Sequence, residues 1–234
     1  MAAKWSLVIS AILGTVIIAF ADPCRAGESV AFSIEFTGFS GDSVLNWLGS
    51  KGFQPKQDAN NARKVVYIAS KDELVLHTKT HAHAILLEAV SVPDYSRVRI
   101  EWGIHVFPSG ASYDKGIRSE AIMVYVFFGK EHHSSGSILI PDSPYFIGLF
   151  LCESGPINVP YKGRYYHAGG RYICVDRPRP DIPVTTEVPI AELFTRVFGR
   201  EAPDITGIGI AIDTDSAKGN GVAESFVKKI EFLE

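Results

Sequence analysis

The sequence has no excess of basic charge, and that absence narrows its partners first. Its 234 residues carry 23 Lys+Arg against 26 Asp+Glu, a formal net charge of −3, whereas nucleic-acid binders carry a basic footprint. Nucleophile and cofactor signatures are missing as well. There is no Gly-x-Ser-x-Gly elbow, and Ser154-Gly155 follows Glu153 without the earlier glycine such a turn requires. Neither a zinc-binding helix motif, a phosphate loop nor a dinucleotide fingerprint occurs. No internal repeat or long low-complexity linker divides the chain. Residues 177–189 carry four prolines, but the stretch is short enough to be a loop. A single domain follows.

Long apolar runs are limited to the first residues. Residues 5–20 follow Lys4 and are apolar except for Ser6, Ser10, Gly14 and Thr15. That is short against the roughly 20 residues of a spanning helix. With the polar turn at residues 21–26, it has the three-part layout of a cleavable signal peptide. Ala19 with Ala21, or Cys24 with Ala26, marks the cut; residues 1–26 are taken as the signal and 27–234 as the mature domain. Removing 1–26 takes out Lys4, Arg25 and Asp22 and leaves 21 basic against 25 acidic side chains. The expected address is periplasmic or secreted, with no stable membrane insertion after cleavage.

Cysteine is scarce too: Cys24, Cys152 and Cys174. Cutting after Ala26 leaves two, each in a strand-like stretch, and in an oxidising compartment they can pair. That disulfide would contribute on the order of 3 kcal/mol in the chain-entropy model.

What is present is strand pattern. In residues 206–212, Ile208, Ile210 and Ile212 alternate with Gly207, Gly209 and Ala211, the period of a strand with one face in a core. Residues 97–106 alternate even more cleanly, with Val98, Ile100, Trp102, Ile104 and Val106 opposed to Arg99, Glu101 and His105. Residues 30–36, 64–70, 73–79, 81–90, 120–128, 137–140, 145–153, 164–166, 172–176 and 225–232 also read as strands. Asp42 can cap a short helix ended by Gly49. One long amphipathic helix has Ile190, Leu193, Phe194, Val197 and Phe198 on one face and Gly199 at its end. The expected fold is an all-β jelly-roll-type β-sandwich, of the galactose-binding or lectin-like kind, with one amphipathic helix near the C-terminus.

The segments at residues 98–112 (VRIEWGIHVFPSGAS), 122–128 (IMVYVFF) and 196–216 (RVFGREAPDITGIGIAIDTDS) carry a resemblance. Together they resemble the bacterial domain-of-unknown-function family 3047, over residues 27–232. The resemblance implies an exported protein with a Trp-bearing strand, a Phe-Gly helix end and an Asp-Thr-Asp turn. Arg118-Ser119-Glu120 stands where that family usually has paired aspartates. No catalytic residues come with the resemblance.

Three constellations can hold chemistry. Asp213 and Asp215, two apart before Gly219 and Gly221, can supply oxygens to a structural calcium ion or cap backbone amides in an Asx-rich turn. His77, His81 and His83 would share a face if one strand carried them, as ligands to a transition metal or as a solvated strand face. The third is the tyrosine- and glycine-rich stretch 159–180. Tyr165, Tyr166 and Arg171 can hold a sugar through ring faces and charged donors, or pack a hairpin beside the disulfide. The leading expectation is a non-catalytic exported sandwich that binds a glycan or another envelope component. A second is a polysaccharide hydrolase or lyase using a carboxylate pair such as Glu101 and Glu120, and a third is a structural or assembly protein of the envelope.

Overall fold

In the computed structural model, which describes residues 28–138 and 140–234, strands dominate. The expected signal segment, with Cys24, lies outside the described residues. The chain opens with β1 (Val30–Glu35), helix α1 (Val44–Ser50), β2 (Gln54–Gln57), β3 (Val65–Ala69) and β4 (Leu74–Thr78). β5 (His83–Val92), β6 (Arg97–Val106), β7 (Glu120–His133) and β8 (Ser143–Leu151) follow. The last part holds β9 (Pro160–Tyr161), β10 (Gly170–Asp176), β11 (Val184–Val188), helix α2 (Ile190–Phe198), β12 (Ile205–Asp213) and β13 (Ala223–Leu233).

Two sheets face each other. One runs β11-β6-β13-β4-β3, with β1 also pairing along β13; the other runs β2-β5-β12-β7-β8-β10-β9. This is the all-β, jelly-roll-type sandwich that the alternation predicts. Along β6, Val98, Ile100, Trp102 and Ile104 are buried in the shared core, while Arg97, Arg99 and Glu101 occupy the opposite face. Ile208, Ile210 and Ile212 of β12 enter the same core from the other sheet. Helix α2 forms where expected and ends at Gly199, whose φ of 70° is the left-handed C-terminal conformation. Phe194 of α2 closes one end of the core against Phe128, with ring centroids 4.6 Å apart.

Several local expectations are corrected. Ser43 rather than Asp42 caps α1, its Oγ accepting from the Asn46 amide. The proline-rich stretch 177–189 is not all loop, because β11 forms in its proline-free segment and pairs with β6. Thr186 of that strand accepts a hydrogen bond from the indole N–H of buried Trp102 at 3.0 Å, satisfying a core donor that would otherwise be orphaned. Residues 137 and 138 are not in a strand: Ser135 organises a turn there, accepting from the Ser137 amide and donating to the Ile140 carbonyl. Residues 164–166 are not extended either, since Tyr166 takes a φ of 56°. They lie in the connection that lets β10 run parallel to β8.

Candidate functional site

The site is built on the outer face of the seven-stranded sheet. Where the inward face feeds the main core, the outward one gathers a second cluster: Met123, Tyr125, Phe146, Phe150, Cys174 and Ala211, with Tyr113, Phe127 and Tyr172 packed against it. Small residues on β12 make room for these rings. A side chain at Gly209 would lie 3.3 Å from Tyr125 Cβ and 2.8 Å from Leu87 Cδ2. The alternation that drives three isoleucines into the core thus leaves a shallow strip on which aromatic rings of β7 rest.

At one end of this strip the face turns acidic. Asp213 of β12 is the cross-strand partner of Glu120 at the start of β7. Between the Ala211–Met123 and Asp213–Glu120 pairs the register slips, so that Ile212 stands against both Ala121 and Ile122. The extra residue is a β-bulge, and it turns Glu120 to the face that Asp213 occupies. Asp213 is also the cross-strand partner of His83 on β5. A row Glu120, Asp213, His83 therefore crosses three adjacent strands.

Glu120 is only 3 % exposed. Tyr113, from the loop before β7, donates its hydroxyl to Glu120 Oε2 at 2.8 Å and stacks on Phe150 with centroids 4.3 Å apart. Burial pushes the Glu120 carboxyl well above its usual range, the neighbouring charge of Asp213 pushes it the same way, and the Tyr113 hydrogen bond opposes both. Burial also raises Asp213, against the charge of His83 and the amide of Asp215, which favour its ionised form. Two carboxyls at close quarters share charge unwillingly, and the more buried Glu120 retains the proton.

The residues picked from sequence are scattered differently from the expectation. Glu101 lies on the outer face of the six-stranded sheet and Glu120 on that of the other, so the two do not form a pair. Tyr166 donates its hydroxyl to the Pro141 carbonyl at 2.8 Å and sets its ring edge-on to Phe146. Arg171 lies over the Phe198 ring and donates to the carbonyls of Gly170 and His167. Tyr165 is packed with the guanidinium of Arg164. Tyr166 and Arg171 thus commit hydrogen bonds to the chain's own backbone. Asp213 accepts the Asp215 amide at 2.9 Å, an Asx turn, and among the described residues no group of three His, Cys, Asp or Glu is placed to hold a metal ion. The three histidines do not share a face either. His77 is on β4 and pairs with Glu224 at 2.7 Å, His81 lies in a loop with its ring nitrogens against the carbonyls of Thr214 and Gly219, and only His83 reaches the carboxylate pair. Cys152 and Cys174 do form a disulfide, which joins the end of β8 to β10 beneath Tyr113.

Sequence reasoning missed the Asp213–Glu120 pair and the part played by Tyr113. One signal was available: Asp213 continues the strip of Gly207, Gly209 and Ala211, so it had to leave the core on the opposite face from the isoleucines. The expectation of a non-catalytic binding sandwich is corrected on this geometry. Two of its proposed contact residues, Tyr166 and Arg171, spend polar atoms inside the chain, while the sheet face carries a buried Glu120 beside a half-buried Asp213.

Comparison with known proteins places other chains beside this one. No family model matches it, and no curated protein does. Among solved structures it is similar to the xyloglucanase domain of NopAA, a type three effector from Sinorhizobium fredii, at 10% identity and a TM-score of 0.45, over 79% of this chain and 95% of that one. A thermostable cellulase derived from the Cel12A cellulase of Rhodothermus marinus is similar at 12% identity and a TM-score of 0.43, covering 86% of this chain and 100% of the other. The family 11 xylanase from Neocallimastix patriciarum gives 8% identity and a TM-score of 0.33 over 86% and 95%.

Proposed function

We propose that this chain is a polysaccharide-acting hydrolase that works through Glu120 and Asp213. The observation that carries the reading is a carboxyl only 3 % exposed, Glu120, directly across a strand ladder from a second carboxyl on an aromatic sheet face. Glycoside hydrolysis needs one carboxyl that keeps its proton and one that loses it. Burial and the facing charge give Glu120 the first property. Burial raises Asp213 as well, but His83 and the Asp215 amide oppose that rise, so Asp213 is the carboxyl of the two that gives up its proton first.

In the reaction, Glu120 hands its proton to the departing glycosidic oxygen as the bond to the anomeric carbon breaks. Asp213 either bonds that carbon or takes a proton from the water that does, and the separation of the two carboxyls on bound substrate selects the stereochemistry. The partly exposed edges of Tyr113, Tyr161 and Tyr172 offer apolar faces to sugar C–H groups. The loop carrying Tyr113 must lift for a sugar to reach Glu120. A cystine between β8 and β10 supports an exported setting, where disulfides persist.

The test is reducing-end release from a panel of soluble neutral and acidic polysaccharides. The unmodified protein is expected to cleave at least one, with Glu120→Gln and Asp213→Asn each slowed by about 10²–10⁴-fold. Full activity in Glu120→Gln, or no release from any polysaccharide, would overturn the proposal.

A further inference from the structure

Beside Glu120 lies a small, partly open cavity of about 10 Å³, lined by Ser112, Tyr113, Ser119 and Glu120 together with apolar residues such as Phe107 and Phe150. That is about the room one water molecule needs. Ser119 is 3 % exposed, and its Oγ has no hydrogen-bond partner. A buried hydroxyl left unpaired is costly, and native structures almost always satisfy it. The orphan hydroxyl and the small space beside a buried carboxyl are separate observations that point to one ligand chemistry.

We propose that the space between Ser119 and Glu120 is a hydroxyl-binding site for a single oxygen, occupied by water in the resting protein. Its partners are Ser119 Oγ, the Glu120 oxygen that does not accept from Tyr113, and Tyr113 Oη, which already donates to Glu120 and has lone pairs to spare. Three partners suit a buried water, which usually makes two to four hydrogen bonds. A neutral Glu120 can donate to that oxygen. The water thus holds the place of the oxygen to which Glu120 gives its proton during turnover, a role that rests on the hydrolase reading. The site itself does not: its existence follows from Ser119 and the cavity whether or not the protein cleaves sugars.

Two measurements that need no substrate test it. A high-resolution crystal structure of the unmodified protein is expected to hold a density peak within hydrogen-bond distance of both Ser119 Oγ and a Glu120 oxygen. Replacing Ser119 by Ala would then remove a partner from a hydrated site and lower Tm by about 2–4 °C. In a dry cavity the same substitution deletes an unsatisfied hydroxyl and raises Tm instead. No peak in the crystal, or a raised Tm for Ser119→Ala, would overturn the proposal. A peak lost on soaking a cleavable oligosaccharide, replaced by a sugar oxygen at the same position, would extend the site from water to substrate.

Discussion

Asp213 stands directly across the β12–β7 ladder from Glu120, so two carboxyls share one end of an aromatic sheet face. The arrangement is costly, and its cost is readable without any substrate.

Stability should depend on pH through Glu120. Its carboxyl in the folded chain lies well above the ordinary glutamate value of 4.5, which the unfolded chain retains. A carboxyl raised on folding favours the folded state in acid. That contribution is lost as pH climbs from 4.5 through the raised folded value, because the unfolded chain releases its proton first. Glutamine does not titrate. The Tm of Glu120→Gln should therefore gain on that of the unmodified protein as pH rises above about 4.5. Melting curves at stepped pH check this, and parallel Tm profiles for the two proteins would refute it.

His83 should set the acid limb of activity. Asp213 faces Glu120, His83 and Asp215, and of these only His83 brings positive charge. Asp58 accepts the His83 amide and Lys64 pairs with Asp58 at 2.9 Å, so the histidine itself sits beside charges of both signs. Removing the imidazole in His83→Gln raises Asp213 further, and the acid limb of kcat/KM should move to higher pH. A lower rate with an unshifted limb would mean that His83 matters only for packing.

Loss of the disulfide should loosen the β8–β10 pair. Cys152 and Cys174 are joined across it, with Cα atoms 5.8 Å apart. Replacing both by serine should destabilise the protein by about 2–5 kcal/mol, measured by urea denaturation. Intact mass before and after reduction should report one bond in the unmodified protein.

Gly221 should tolerate no side chain. Its φ is +70°, and an added Cβ would lie 2.7 Å from His81 Cα, against backbone rather than a movable side chain. Its carbonyl also accepts from Thr78 at 2.9 Å. Gly221→Ala should cost about 1–3 kcal/mol. An unchanged denaturation midpoint would contradict the tight packing of this loop.

The architecture was legible wherever one face of an element is buried and the other wet. β6, β12 and α2 carry periods of two or 3.6 that a core imposes, and all three form where those periods lie. β7 carries no such period. From Ala121 to Val126 every side chain is buried, because the strand lies between the main core and the aromatic cluster. Its sequence therefore does not say which way Glu120 turns. The bulge that aims Glu120 at Asp213 depends on a partner strand far away in the chain, and no local pattern records it. β11 was hidden for the opposite reason: prolines at 178, 180, 183 and 189 mask a short paired segment. Tyr166 was hard to read because composition marks an aromatic residue as available, whereas hydrogen bonding to Pro141 and ring packing on Phe146 use it up.

The outermost strands bear on how the molecule behaves in a crowd of its own copies. β2 and β9 end the seven-stranded sheet and contain Pro55 and Pro160, while β11 ends the other sheet between Pro183 and Pro189. A proline offers no amide to an incoming strand, so these borders resist edge-to-edge growth into fibrils. The borders at β3 and β1 have no proline and leave Ile68 53 % and Val30 46 % exposed. If the sandwich ever self-associates through a sheet edge, those are the seams along which it would do so.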